Sequence, residues 1–316
     1  MSTDPIRLGI VGLGAMGHRI LEVALCHPRY AVTHAADLDS ATVSRLQAAH
    51  PGVLFSTAPA AVLEADVDAV YVATPPATHA GLVVPALEGG KAVFCEKPLA
   101  ISAADAEAMM SASVGRPTAV NFALSDRRAT RHIEQALADG LVGDVLGVEI
   151  RLHFPVWPRK FQADATWVAG REQGGFVREV FSHFAYLTDR LLGPLSVVQT
   201  RLDHRDGPSE ATAYGLMLAG DVPVVLTGSA GAPGPTTYEW ILRGSRRSFL
   251  LRDWRELFVA EGYEWVPVEL AGEEGSEYSR LSLFAELMDG RPSTDLADFA
   301  AAERVQHVVE SFHGQR

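Results

Sequence analysis

Residues Ile6 to Gly17 read Ile-Arg-Leu-Gly-Ile-Val-Gly-Leu-Gly-Ala-Met-Gly. A short apolar stretch of strand character runs straight into Gly12-x-Gly14-x-x-Gly17. An apolar helical stretch follows, and Asp37 stands 20 residues beyond the last glycine. A strand before the glycines, a helix after them and an acid at that distance are what a socket for the pyrophosphate and ribose of a dinucleotide requires. Gly12 and Gly14 let the backbone of Gly12, Leu13, Gly14, Ala15 and Met16 approach the pyrophosphate, and amides at the helix start donate to its oxygens. Asp37 is placed to accept from both hydroxyls of the adenosine ribose. A 2′-phosphate there would face a carboxylate, so the sequence favours NAD. NADP stays possible, because Arg45 on the next helix is within reach of that position.

Composition narrows the class. The chain has 316 residues, 47% hydrophobic and 21% charged, which suits a globular protein of two domains. A net charge of −12 repels phosphate backbones, so no nucleic-acid partner is expected. No polybasic segment points to a membrane surface, and Gly, Pro or His breaks the longest apolar runs short of a bilayer span. The first strand begins too early to leave room for a secretory signal. Cys26 and Cys95 both read as buried thiols rather than a disulfide, which fits a cytoplasmic setting.

Residues 1–122 alternate strand and helix. Ile6–Val11, Tyr30–Asp37, Val67–Ala73, Ala92–Cys95 and Thr118–Phe122 read as strands. Helices are expected at Ala15–Cys26, at Ala41–Ala49 behind a cap at Asp39 or Ser40, at Thr78–Leu87 before Gly89-Gly90, and behind a Ser102/Asp105 capping pair. Such alternation predicts a doubly wound parallel sheet, a Rossmann domain in an α/β chain. Residues 123–316 read as an α+β domain with a large, open, mostly antiparallel sheet. Its runs are Val145–Phe154, Val197–Leu202, Ala211–Leu218, Val222–Thr227, Tyr238–Arg243 and Ser248–Arg252. One helix, Phe176–Leu192, interrupts them. Two more helices close the chain around Gly290–Leu296, in a position to pack back on the first domain.

The order and spacing of several motifs resemble the glucose–fructose oxidoreductase / inositol dehydrogenase / rhizopine-catabolism (Gfo/Idh/MocA) family. They are the glycine motif, Ala73-Thr74-Pro75-Pro76 followed by His79, Glu96-Lys97-Pro98, Gly140-Leu-Val-Gly143, Gly174-Gly175 leading into Glu179 and His183, and Asp289-Gly290-Arg291-Pro292. The resemblance implies a C-terminal sheet whose inner face and loops carry a small-molecule substrate. It also implies a homo-oligomer, dimer or tetramer, formed through that sheet's outer face. Thr74, Pro75, Pro76, His79, Glu96 and Lys97 would then line the nicotinamide half of the cofactor.

The resemblance also assigns the chemistry. Lys97 would stabilise a developing alkoxide or carbonyl dipole. His183 would exchange the substrate proton as hydride passes to or from the nicotinamide, and the two groups would converge on one reacting carbon. Glu179, four residues before His183 on one predicted helix, would orient it. The family carries aspartate at that place, so Glu179 is a departure. Arg178 is another, expected to pair with Glu179 or bind an anion. Trp157, Arg159, Lys160 and Trp167 offer aromatic planes and cations for a substrate wall. Trp167-Val168 replaces the family's tryptophan–arginine pair, and Asn121-Phe122-Ala123-Leu124 departs from its Asn/Arg pattern. Two ligand types at positions 179 and 183 lack a third, so no metal is expected.

The implied activity is NAD(P)-dependent hydride transfer at a hydroxyl- or carbonyl-bearing carbon of a sugar, polyol or related molecule. Three alternatives stand beside it: a C=N reductase, a redox glycosidase that regenerates its NAD, and a non-catalytic nucleotide sensor.

Overall fold

The computed structural model describes residues 4–162, 165–205 and 207–314. The chain divides into two compact units, Met1–Phe122 with Ser276–Glu303, and Ala123–Gly275 with Arg304–Arg316.

The first unit holds β1 (Ile6–Val11), α1 (Ala15–Leu25), β2 (Tyr30–Ala36), α2 (Ser40–Ala49), β3 (Leu54–Ser56), α3 (Ala60–Leu63), β4 (Ala69–Val72), α4 (His79–Glu88), β5 (Ala92–Cys95), α5 (Ala103–Ala112) and β6 (Thr118–Val120). The strands are parallel in the order β3-β2-β1-β4-β5-β6. Every residue of β4 and β5 is buried, because helices cover both faces of a parallel sheet. The order reverses between β1 and β4, and ligands of such sheets sit beyond the carboxyl ends of the strands there.

The expected caps are present: Asp39 accepts from the Ala41 and Thr42 amides, and Ser102 from the Asp105 amide. The strand β3 and helix α3 escape a sequence reading because they are only 3 and 4 residues long. Cys95 is buried as expected, but Cys26 is exposed. Cys26 forms the C-cap of α1 rather than part of its apolar face.

In the second unit, α6 (Arg128–Ala138) precedes β7 (Val145–Phe154). A π-helical turn, Val177–Phe181, runs into α7 (Ser182–Leu192). Then come β8 (Leu195–Asp203), β9 (Thr212–Ala219), β10 (Val222–Ala230), β11 (Thr237–Gly244), β12 (Ser248–Arg252), β13 (Glu256–Ala260) and β14 (Val266–Pro267). They form one sheet in the order β14-β13-β12-β11-β7-β10-β9-β8, antiparallel except where β10 runs parallel to β7. Along β7, Val148, Ile150, Leu152 and Phe154 are buried and the residues between them face away, the period-two pattern of a sheet covered on one side.

The chain ends with α8 (Glu277–Met288) and α9 (Phe299–Phe312). From α8, Leu281, Phe284 and Ala285 join the core of the first unit, and Tyr30 donates to the Leu281 carbonyl at 2.8 Å. Among the described residues no helix is long and apolar enough to cross a membrane.

Candidate active site

In the first unit the glycine loop is shaped by contact. Gly12 has φ +90°, and a Cβ there would lie 2.5 Å from the Ala73 carbonyl oxygen. A Cβ on Gly17 would lie 1.8 Å from the Gly12 oxygen. Side chains at either place would push apart the turns after β1 and β4. Around Gly14 a Cβ would meet nothing within 4 Å, so the loop is open on that side. The start of α1 has neither a side-chain cap nor an acid in its first turn. Those amides are directed at that opening, as an anionic diphosphate needs. Asp37 stands at the end of β2; its Oδ2 accepts from the Leu13 amide at 2.6 Å and its Oδ1 from the Asp39 amide at 2.9 Å. Two bonds fix the carboxylate beside the loop, and each oxygen keeps acceptor capacity for a ribose hydroxyl. The residues present fit a dinucleotide.

Two turns follow at the ends of β4 and β5. Thr74 and Pro75 are half-buried and Pro76 is buried. The Thr78 hydroxyl closes the first turn on Thr74 and the Pro75 carbonyl, both at 2.8 Å. Lys97 is half-buried, and the Lys97–Pro98 peptide is cis. Two residues expected against the cofactor take other positions. His79 is fully buried, with Nε2 2.9 Å from the Thr74 oxygen and Nδ1 3.1 Å from both the Pro98 and Leu99 oxygens. It ties the turn after β4 to the turn after β5. Burial pulls its pKa below that of a free imidazole, against those three carbonyls.

The Glu96 side chain also turns inward. It accepts from the Tyr71 hydroxyl at 2.6 Å and the Asn121 amide at 2.8 Å, and Arg280 of α8 donates to Asn121 Oδ1 at 2.6 Å. Burial raises the Glu96 pKa in spite of those bonds. Tyr71, Asn121 and Arg280 thus hold the strand end that carries Lys97, a role no local sequence signal assigns to Tyr71 or Arg280.

In the second unit the π-helical turn places Arg178 and Glu179 immediately before His183. A π turn adds a residue to each helical turn, so positions 179 and 183 do not stack as α-helical i, i+4 neighbours. His183 is 7% exposed. The Ala123 amide donates to its Nδ1 at 3.2 Å, so a neutral ring carries its proton on Nε2. Glu179 Oε2 accepts from Gln162 Nε2 at 2.9 Å and lies 4.0 Å from Arg159 Nη2. Arg159 donates to Gln162 at 2.9 Å and stands 4.7 Å above the Phe161 ring and 5.4 Å above Trp157. Trp157 packs edge-on against Phe154 at 5.0 Å. Lys160 is exposed, and Trp167 is half-buried in the short turn Thr166–Ala169.

Arg178 is a correction. It is 1% exposed, and its Nε and Nη2 each meet a Glu310 oxygen at 2.6 Å, while Nη1 donates to the Arg171 and Gly174 carbonyls. It pairs neither with Glu179 nor with an exposed anion site. Among the described residues no group of three or more His, Cys, Asp or Glu is arranged to hold a metal ion.

Comparison with known proteins agrees with this layout. Residues 6–121 match an oxidoreductase family described as having an NAD-binding Rossmann fold, and residues 130–250 match the GFO/IDH/MocA C-terminal domain. The chain belongs to the Gfo/Idh/MocA family. It is 35% identical over 147 residues to the inositol 2-dehydrogenase of Gluconacetobacter diazotrophicus. That match covers 45% of this chain and 44% of the relative, so the chain spans less than half the length of that protein. A 3-ketoreductase from Actinomadura kijaniata, solved in complex with NADP and TDP-benzene, has a TM-score of 0.84 at 21% identity, covering 99% of this chain and 98% of that one. An oxidoreductase from Agrobacterium radiobacter, solved with NAD+, L-tartaric acid and magnesium, has a TM-score of 0.85 at 15% identity, covering 99% and 96%. These two likenesses establish the shared fold.

Beside Arg178 lies a buried acid–base pair, Glu210 and His313, with Oε1 and Nε2 3.6 Å apart. Burial raises the Glu210 pKa to about 7. Burial first, then the Arg178 charge and His204, lowers that of His313 to about 3. Between pH 4.5 and 6.5 the native pair holds one proton, on Glu210, and the unfolded pair also holds one, on the histidine. The pair therefore gives no pH slope to stability in that window. In Glu210→Gln only His313 titrates. The unfolded chain then binds the extra proton, and stability falls as pH drops from 6.5 toward 3. The variant is expected to lose about 1.4 kcal/mol per pH unit relative to wild type as pH falls through this window. Urea unfolding at several pH values measures the difference, and a pH-independent difference would contradict the assignment.

Proposed function

We propose that the protein is an NAD(P)-dependent dehydrogenase or reductase acting at a hydroxyl- or carbonyl-bearing carbon of a sugar, polyol or related small molecule. The observation that carries this reading is the state of His183. With Nδ1 taken by the Ala123 amide, a neutral ring carries its proton on Nε2, the tautomer that donates to a carbonyl about to be reduced. For the oxidising direction the ring must move that proton to Nδ1 and give up the Ala123 bond before Nε2 accepts one.

The bound nicotinamide supplies the hydride acceptor or donor. Lys97 serves the same reaction as the cation for negative charge on oxygen. Glu179, held by Gln162, contributes a fixed negative charge on the π turn that leads to His183. Trp157 and Arg159 form the substrate wall, with Lys160 and Trp167 at its margin. Gly12, Leu13, Gly14, Ala15, Met16, Asp37, Thr74, Pro75 and Pro76 receive the cofactor.

Asp37 favours NAD over NADP, and the preference is testable by fluorescence titration. Wild type is expected to bind NADH at least about tenfold more tightly than NADPH, with the gap narrowing in Asp37→Ser. Equal affinities in wild type would remove the preference. The activity itself is tested by nicotinamide absorbance with a panel of polyols and NAD, and of ketoses and NADH. Saturable NADH binding without turnover on any of them would favour a sensor. Sugar release without net cofactor change would favour a redox glycosidase.

We read the outer face of the C-terminal sheet as the contact surface of a dimer or tetramer. Val198, Tyr214, Leu216 and Val225 are exposed there on β8 to β10. Two unpaired cysteines suit a cytoplasmic protein.

A further inference from the structure

The tip of the β12–β13 hairpin has a backbone that one of its side chains does not favour. Asp253 and Trp254 follow one another at φ +48° and +69°, and the Arg255 amide closes the turn on the Arg252 carbonyl at 3.2 Å. Hairpin turns with two left-handed residues in succession normally take Asn-Gly or Asp-Gly. Asp253 suits the first place, but an indole in the second is strained. Packing alone does not explain its presence. Trp254 stays half-buried, whereas an aromatic ring kept for the core would be covered.

The indole belongs to a row of aromatic rings. It lies 5.2 Å from the His183 ring, nearly perpendicular at 82°. Phe184 at 5.2 Å and Tyr238 at 5.3 Å hold it. Tyr238 leads on to Phe154 at 5.4 Å, and Phe154 to Trp157 at 5.0 Å. Phe154 and Phe184 are fully buried and form the base of the row. Trp254, Tyr238 and Trp157 are each half-buried, so part of every ring is left uncovered. Polar groups stand at both ends. The His183 imidazole is beside Trp254, and the Arg159 guanidinium is 5.4 Å from the Trp157 ring and 3.5 Å from the Tyr238 hydroxyl. A partly uncovered aromatic wall with a few polar groups at its ends is how small-molecule sites are lined.

The kind of molecule follows from the wall. An aromatic face is electron-rich, and the C–H bonds on one side of a pyranose or cyclitol chair present a flat patch of weak positive charge to it. An open-chain polyol has the same groups, but must freeze several C–C torsions to offer so continuous a patch.

We propose that Trp254 is a specificity-determining residue: its uncovered indole, held by the strained turn beside His183, takes the C–H face of a ring and selects substrates whose reacting carbon belongs to a closed ring over open-chain polyols. This rests on the reading of His183 as the group that exchanges the substrate proton, so its test measures binding apart from turnover.

Saturation-transfer NMR on the full chain loaded with NADH, which cannot oxidise an alcohol, compares myo-inositol and methyl β-D-glucopyranoside with D-glucitol, an open-chain polyol. At least one of the two rings is expected to bind wild type about tenfold more tightly than D-glucitol. Trp254→Asn tolerates the left-handed backbone but lacks a ring. It should lose about tenfold in affinity for that ring and less than about twofold for D-glucitol, with the Kd for NADH unchanged. Trp254→Gly, which relieves the strain, replaces it if the asparagine protein does not fold. Trp254→Phe should keep most of the selectivity. Equal binding of rings and D-glucitol by wild type, no binding of either ring, or an equal loss for rings and D-glucitol in the ringless variant overturns the proposal. Ring-selective binding that needs Trp254 supports it even where NAD oxidises neither ring, a result that would count against the proposed reaction alone.

Discussion

His183→Ala is expected to lower turnover by about a thousandfold while leaving NADH affinity within about twofold. Removing the imidazole deletes the group whose Nδ1 the Ala123 amide occupies, which sets a neutral ring in the Nε2–H form, and nothing in the glycine loop changes. Lys97→Ala should cost about a hundredfold, the usual worth of one cation or donor at a developing oxyanion. The double variant is the more telling measurement. If both side chains serve the same oxygen, removing one spoils the contribution of the other, and the double loss falls well short of the product of the single losses. Independent losses that multiply would mean the two residues act in separate steps. Retention of turnover in both single variants would reject the enzymatic assignment of these residues, whatever the cofactor titrations show.

What a sequence discloses depends on whether a feature is local. The dinucleotide socket was legible because its ligand requires neighbours in the chain: a strand, a tight turn with Gly12 against Ala73, a helix without an N-terminal acid, and one carboxylate at the next strand end. The same holds for β4 and β5, whose unbroken apolar runs are the direct mark of burial on both faces. Short, partly exposed strands such as β3 and β14 leave no such mark.

The errors have the opposite character. Glu96 and Lys97 are adjacent in sequence, yet at a strand end alternate residues point to opposite sides, and Glu96 meets Tyr71 and Asn121 instead of facing the cofactor. His79 sits at a helix start beside a recognised turn, but its partners come from positions 98 and 99, which only the sheet brings near. Trp254, whose ring centroid lies 5.2 Å from that of His183, gave no signal as its neighbour, because aromatic residues in β-rich segments read as core. The π turn at Val177–Phe181 was equally hidden: its apolar residues match an ordinary helix, and the extra residue that shifts Glu179 against His183 has no compositional signature.

Arg178 is the case where the misreading carries the largest energetic consequence. As a substrate-binding residue, Arg178→Met would raise KM and leave stability alone. The bidentate bond to Glu310, formed 132 residues away and almost fully buried, predicts the reverse. Arg178→Met leaves the Glu310 carboxylate buried without its countercharge, and orphans the Arg171 and Gly174 carbonyls. The expected cost is about 3–5 kcal/mol in urea unfolding. Glu310→Leu strands the guanidinium and should cost a similar amount. The double variant, apolar on both sides, should recover most of the loss, since desolvating an ion pair consumes much of what its attraction returns. If each single variant costs under about 1 kcal/mol, the pair is not buried in solution as it is here, and Arg178 returns to the list of groups available to an anionic substrate.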